Sequence, residues 1–324
     1  MATAENAKLE YEAGQNAVAM SALTKSGDAT TFTSAAALWS SRGGYTPVVR
    51  PNGVLTGGAV TTHVTDSTVT VAALTLNLAG VVTAVVAGSI AVTRPATNVS
   101  KICSVTVSSA GALAVVAGTD GATTAFVETR AAAGGPPLIP VGSVEIAQVR
   151  MTTTAAAVIA SSEIYQVVGS HRERADFPLY SINYATGTVL FLAALPRIHT
   201  GEVPKAAFAS FASPIFAEVA LASDFVPPET SHSVTSTQIY GTTLGSSSST
   251  LGQGSFTAYL DSGVADALVT LKNQILWFRF YPDRYQSPYL LTQGKLGIAR
   301  TFPAGDQIQA ACTISASAAA VEVA

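Results

Sequence analysis

The sequence predicts a mainly β protein with one α-helix and a distinct small all-β module. Three observations carry that prediction. Apolar and polar residues alternate at period two in many places, as in Leu74, Leu76 and Leu78 against Ala73, Thr75 and Asn77. Turn-forming residues punctuate the chain, with 26 Gly and 15 Pro in 324 residues. A clear helical repeat stands at one place, where Val264, Leu268, Leu271 and Ile275 recur at i, i+4, i+7 and i+11.

Taken in order, residues 1–61 are expected to form an N-terminal arm and a long hairpin. Residues 1–40 mix short helical pieces with loops; Thr33 or Ser34 can cap a helical run from Ala35 to Ser40, while Gly14 and Gly27 interrupt anything longer. In GGYTPVVRPNGVLTGG two β-rich runs flank Pro51-Asn52-Gly53, which suits the turn of an extended hairpin over 37–60. Val48, Val49, Val54 and Leu55 are more apolar than a solvent-exposed hairpin tolerates, so they are candidate subunit-interface residues.

Residues 62–165 change character to Val, Ala and Thr with regular turns and are expected to form an inserted β-sandwich or barrel module. Within it AGVVTAVVAGS at 79–89 echoes AGALAVVAGT at 110–119, which predicts two related hairpins. The charge-free run between Asp66 and Arg94 is long enough to span a membrane, but its period-two leucines and its turn-spaced Gly80 and Gly88 predict strands and no membrane insertion. Pro136, Pro137 and Pro140 forbid a helix near the end of the module, before Val144, Ile146 and Val149 resume a strand.

Residues 166–324 are expected to hold the main set of strands, with the helix at 262–274 capped by Asp261 or Ser262. After it, Leu276, Phe278 and Phe280 point to one face and Ile275, Trp277, Arg279 and Tyr281 to the other. The first set forms a core face against the helix stripe. Trp277, Tyr281 and Tyr285 are candidates for contact with a neighbouring subunit, where aromatic residues concentrate.

Composition narrows the function. Charged residues make up 11% of the chain, against about 25% in an average soluble domain. A surface so poor in charge suits subunits that bury much of themselves in neighbours. The formal net charge of −3 offers no basic face for gripping phosphates. Cys103 and Cys312 follow no metal-binding or CxxC spacing and are expected to be reduced, buried thiols. The opening MATAENAKLEYEAG has acids where a signal peptide needs an apolar core, so assembly in a cytoplasm is expected.

Chemistry finds little to use. None of His63, His171, His199 and His232 has a zinc-type partner, and His171 with Glu173 is best explained as a solvated charged loop. GTTLGSSSSTLGQGS at 241–255 lacks the GK[ST] ending and the following helix of a phosphate-binding loop, so a flexible loop is expected. There is no GxSxG elbow. Asp224, Glu229 and Asp261 sit in turn-like sequence. No catalytic, cofactor-binding or metal-binding residue is assigned, and the chain is expected not to be an enzyme.

The series DFVPPETSHSVTSTQIYG, STLGQGSFTAYLDSG, VADALVTLKNQ, ILWFRFYPD and LLTQGKLGIARTFPAGDQIQAACTISASA resembles the major tail tube proteins of tailed bacteriophages. The resemblance covers about 165–324 together with 1–60. Its most specific piece is the ending: a strand, a short turn at Gly294, a strand, a turn at Pro303 to Asp306 and a last strand. It implies a tail-tube-like β-sandwich flanked by a helix, assembling into stacked hexameric rings through which DNA is ejected. The implied partners are other copies of the chain and further tail proteins: tape measure, tail terminator, and baseplate or sheath. DNA would be met only in transit, and the location would be the virion tail. The module at 62–165 departs from the compact form of that family and is expected to project from the outside of the tube. The rival expectation is a virion surface decoration or receptor-binding protein, a fibre or spike whose aromatic residues bind a host glycan.

Overall fold

The computed structural model describes residues 6–166, 179–240 and 242–324. The protein is mainly β, with 52% of residues in strands and 3% helical. It divides into two compact units, one of Met1–Ala17, Leu38–Thr46 and Ala212–Ala324, the other of Val18–Ala37 and Pro47–Phe211. The second unit is therefore larger than the 62–165 module expected from composition. It takes in residues on both sides of that stretch because their strands pair inside it.

The strands of the first unit follow the order Ala222–Val226, Gly254–Leu260, Ile308–Ala316, Tyr289–Thr301, Ile275–Tyr281, Lys8–Ala22 and Ala207–Glu218, the last two only in part belonging to this unit, with Val321–Val323 added beside Tyr289–Thr301. Lys8–Ala22 corrects the expectation of helical pieces near the N-terminus. Its residues Leu9 and Tyr11 are buried in the core and its backbone pairs with Ile275–Tyr281 from Lys8↔Tyr281 to Tyr11↔Phe278. Tertiary pairing overrides the weak local preference of an Ala-rich segment. Residues 35–40 form no helix either.

The core of this unit gathers Leu9, Tyr11, Phe256, Leu276, Phe278, Leu296 and Ile314. The alternation in Ile275–Tyr281 thus places Leu276 and Phe278 inside, as expected. The helix expected over 262–274 contracts to one turn, Ala267–Thr270. Leu268 and Leu271 pack into the core, but Val264 is 67% and Ile275 44% exposed. The reason lies upstream: the Asp266 carboxylate accepts the backbone N–H groups of Asp261, Ser262 and Gly263, holding those residues in a turn, and Gly263 has φ +69°. Gly294 is not a turn. It lies inside the thirteen-residue strand Tyr289–Thr301, where a Cβ would come within 2.6 Å of Ile314 and 2.9 Å of the Ser315 backbone. The turn at Pro303 to Asp306 does separate the last long strands.

The second unit contains three small sheets around one core. They are Gly53–Gly57, Leu74–Leu78 and Val81–Val85; Gly88–Ala91, Thr68–Val71 and Val60–Thr62; and Leu113–Ala117, Lys101–Val107, Val144–Met151 and Ile164–Gln166. Their apolar faces meet in one cluster that includes Val54, Val69, Leu74, Leu76, Val105, Ile146 and Val149. A fourth sheet joins Tyr180–Asn183, Thr188–Phe191, Thr31–Thr33 and Thr24–Lys25. Leu74, Leu76 and Leu78 are all buried in strand, and among the described residues no helix is long and apolar enough to cross a membrane. The echo at 79–89 and 110–119 resolves into two hairpins, each repeat supplying the second strand. In the first, Ala79 and Gly80 have φ of 49° and 84°, the left-handed pair that a two-residue hairpin turn requires.

The hairpin expected at Pro51-Asn52-Gly53 is corrected. Val48–Pro51 pairs with Ala207–Ser210, whereas Gly53–Gly57 pairs with Leu74–Leu78, so the chain switches sheets at Asn52 rather than turning back. The switch is pinned from inside: Asn52 Oδ1 accepts the Ala79 N–H at 2.9 Å, and Asn77 Nδ2 donates to the Pro51 carbonyl at 3.1 Å.

Candidate assembly surfaces

The residues 118–143 contain no strand longer than a bridge, yet they are held firmly to the second unit by charge. Lys101 pairs with Asp120 at 2.9 Å, Arg150 with Glu128 through bonds of 2.6 and 3.0 Å, and Arg130 with Glu145. Each pair joins the loop to the strands Lys101–Val107 or Val144–Met151. Glu145 is fully buried. It accepts from Ser104 Oγ at 2.5 Å, from Gln148 Nε2 at 3.3 Å and from the Arg130 guanidinium, which also donates to the Pro137 carbonyl at 2.7 Å. The Asp120 carboxyl is held below its usual range by the Ala96 N–H and by Lys101. The Arg130–Glu145 pair satisfies a buried charge, and the outer Arg150–Glu128 pair closes the loop against the strand, so the role of the network is structural. The sequence carried a signal for it: DGATTAFVETR at 120–130 concentrates three charges in a chain that has few.

The histidines and thiols are likewise accounted for. His199 is buried, its Nε2 3.0 Å from the Ser143 carbonyl and its Nδ1 3.3 Å from that of Val203, and burial lowers its pKa. His63 Nδ1 accepts the Thr65 N–H, and His232 is exposed. His171 and Glu173 lie outside the described residues. Cys103 and Cys312 are buried free thiols, and burial pushes Cys312 up to about 12. Among the described residues no group of three or more His, Cys, Asp or Glu side chains could hold a metal ion.

Of the interface candidates, Val49, Val54 and Trp277 are core residues, with 4%, 1% and 5% exposure. Their apolar character is explained within the chain. Val54 belongs to the second unit's core, while the Trp277 indole N–H donates to the Trp39 carbonyl at 2.8 Å and its backbone N–H to the Glu12 carboxylate at 3.1 Å. Val48, Leu55 and Tyr281 are half-buried, Tyr281 lying 5.0 Å from the Tyr289 ring and beneath Lys8. Tyr285 alone of the seven is open, at 76%.

The first unit has a cleft of about 570 Å3, floored by the stacked rings of Phe225 and Phe280 and rimmed by Lys8, Glu218, Asp224 and Arg284. Both of its cations are paired. Arg284 pairs with Glu218 at 2.9 Å, and Lys8 with Glu10 at 2.6 Å, a bond that raises the lysine pKa and keeps it protonated.

The most exposed feature is one the sequence presented as a flexible loop. Residues 241–255 instead supply one arm of a two-stranded ribbon, Thr230–Ile239 with Thr242–Leu251, paired residue for residue from Thr230↔Leu251 to Ile239↔Thr242. Among the described residues the ribbon joins no other sheet, and every described residue from Thr230 to Thr250 is exposed. Ser233 meets Ser248 at 2.7 Å and Thr235 meets Ser246 at 3.3 Å, a ladder of hydroxyls across one face. Serine and glycine hid the strand from a composition-based reading because they are poor β-formers, and pairing alone makes them extended.

Comparison with known proteins returns no matching family, no matching curated protein and no matching solved structure.

Proposed function

We propose that this chain is a non-enzymatic structural subunit that assembles with itself into stacked rings, six subunits to a ring, forming the tail tube of a tailed bacteriophage. The observation that supports it best is the ribbon Thr230–Leu251. A two-stranded ribbon with no core is marginal in water on its own, and this one has ten-residue strands exposed on both faces. A ribbon of that length gains stability by lying against something else, and in a homopolymer that is another copy. The low charge content favours the same reading, since surfaces covered by neighbours need few ions. DNA in the bore would meet no basic cluster to arrest it. The other partners proposed are the tape measure, terminator, and baseplate or sheath proteins of the tail.

The test is electron microscopy of the purified protein over a range of concentration. Rings or tubes with a central hole support the proposal. Trimeric spikes, or monomers at every concentration, would reject it, the spikes in favour of a surface decoration or receptor-binding role.

A further inference from the structure

Val81–Val85 is the outermost strand of its three-stranded sheet. Its pairing with Leu74–Leu78 runs unbroken from Leu78↔Val81 to Leu74↔Val85, so no bulge bends the edge away. A two-residue turn makes Leu78 and Val81 a hydrogen-bonded pair, which directs the N–H and C=O groups of Val82 and Ala84 outward. Val81 and Val82 are 62% and 53% exposed, and Val86 just beyond is 82% exposed. Edge strands are normally protected by a charge, a proline, a bulge or a covering element. Here there is neither charge nor proline between Asp66 and Arg94, and no strand among the described residues covers the edge.

The same chain carries a second bare ladder. Among the described residues neither strand of the ribbon Thr230–Leu251 has a partner on its outer edge, and the ribbon holds no Asp, Glu, Lys or Arg. We propose that the ribbon of one copy adds to the edge strand Val81–Val85 of a second copy of this chain, by β-strand addition. The two edges fit chemically. Neither would carry a charge into the joint, and the small Ser246 to Ser249 side chains lie beside valines without crowding. Ribbon against ribbon, or edge against edge, would leave the other ladder bare, whereas this contact satisfies both at once. It joins unlike surfaces, so it repeats head to tail into a ring or a filament. This contact follows from the free edges and does not depend on the assembly being a phage tube.

Complementation tests it. One variant blocks the edge by Val82→Lys, with Val86→Lys as a second edge variant should the first misfold. The other blocks the ribbon by Val234→Pro with Ser247→Pro, positions whose N–H groups point outward and carry no ladder bond. Circular dichroism confirms that each is folded, and analytical ultracentrifugation reads association. The expected result is a self-associating parent, two variants at least tenfold weaker in self-association, and an equimolar mixture that forms a 1:1 complex and stops. An edge variant that associates like the parent, a ribbon variant that does so, a mixture that stays monomeric, or a parent that never associates would each overturn the contact. Tubes still forming from the edge variant would reject this contact while leaving the tube proposal standing.

Discussion

Two hairpin strands have opposite fates in this molecule. Lys101–Val107, KICSVTV, is buried at all seven positions, and Thr242–Leu251, TTLGSSSSTL, is exposed at every described position but its last. Both are hairpin members, and both carry hydroxyls. What separates them is the supply of partners. In the buried strand Ser104 donates to a carboxylate that Arg130 neutralises, and Lys101 meets Asp120, so polar atoms are satisfied without water. In the ribbon the hydroxyls bond across to one another and to solvent, and nothing apolar is available to cover them. Apolar residues at Ile102, Cys103, Val105 and Val107 favour burial of the first strand, and its polar groups can follow them inside because distant parts of the chain bring each a partner.

The largest test of that contrast removes the cation from the buried network. Arg130→Ala leaves Glu145 fully buried with only neutral donors, which is expected to cost about 3–5 kcal/mol, read by urea denaturation. Loop 118–143 should become a preferred site of limited proteolysis in the same variant. Stability within 1 kcal/mol of the parent would mean that the network contributes nothing beyond packing. Ser104→Ala is a smaller step in the same place. It deletes one hydrogen bond to a charged group and is expected to cost roughly 1.5–3 kcal/mol.

Glu12 extends the comparison to the first unit, because it is fully buried with hydrogen bonds from Ser40 Oγ and the Trp277 N–H in place of a cation bond. Burial raises its pKa above the ordinary 4.5, although those donors and Arg42 pull it back. The folded state thus holds the proton more tightly than the unfolded chain does. The contribution of Glu12 to stability is fully present below 4.5 and is lost as pH rises through the raised folded value. Glu12→Gln should remove that part of the slope, so the difference in Tm between variant and parent should grow from acid to neutral pH. A constant difference would show that Glu12 titrates alike in both states. The smallest expected effect belongs to the ribbon: Ser248→Ala, chemically the same change as Ser104→Ala, should move protomer stability by no more than about 0.5 kcal/mol in thermal melts. A loss as large as at Ser104 would erase the contrast.

The sequence by itself determined the β class, the strands at Leu74–Leu78 and Ile275–Tyr281, the repeated hairpins and the place of the helix, though not its length. Each rests on a period or a turn signal confined to neighbouring residues. It did not determine which apolar strands would be inside. Val48 to Leu55 looked like an arm because Pro51-Asn52-Gly53 has the chemistry of a turn; Asn77 and Ala206, far along the chain, hold it instead as a crossing between sheets. Trp277 looked available to a neighbour until Trp39 and Glu12 closed over it. The ribbon was invisible because Ser and Gly carry almost no local preference for extension, and only the register between Thr230 and Leu251 makes them part of a strand pair. Tertiary structure decided these points for one physical reason. A buried polar or apolar group is defined by what meets it, and those partners lie too far away in sequence for any local pattern to announce them.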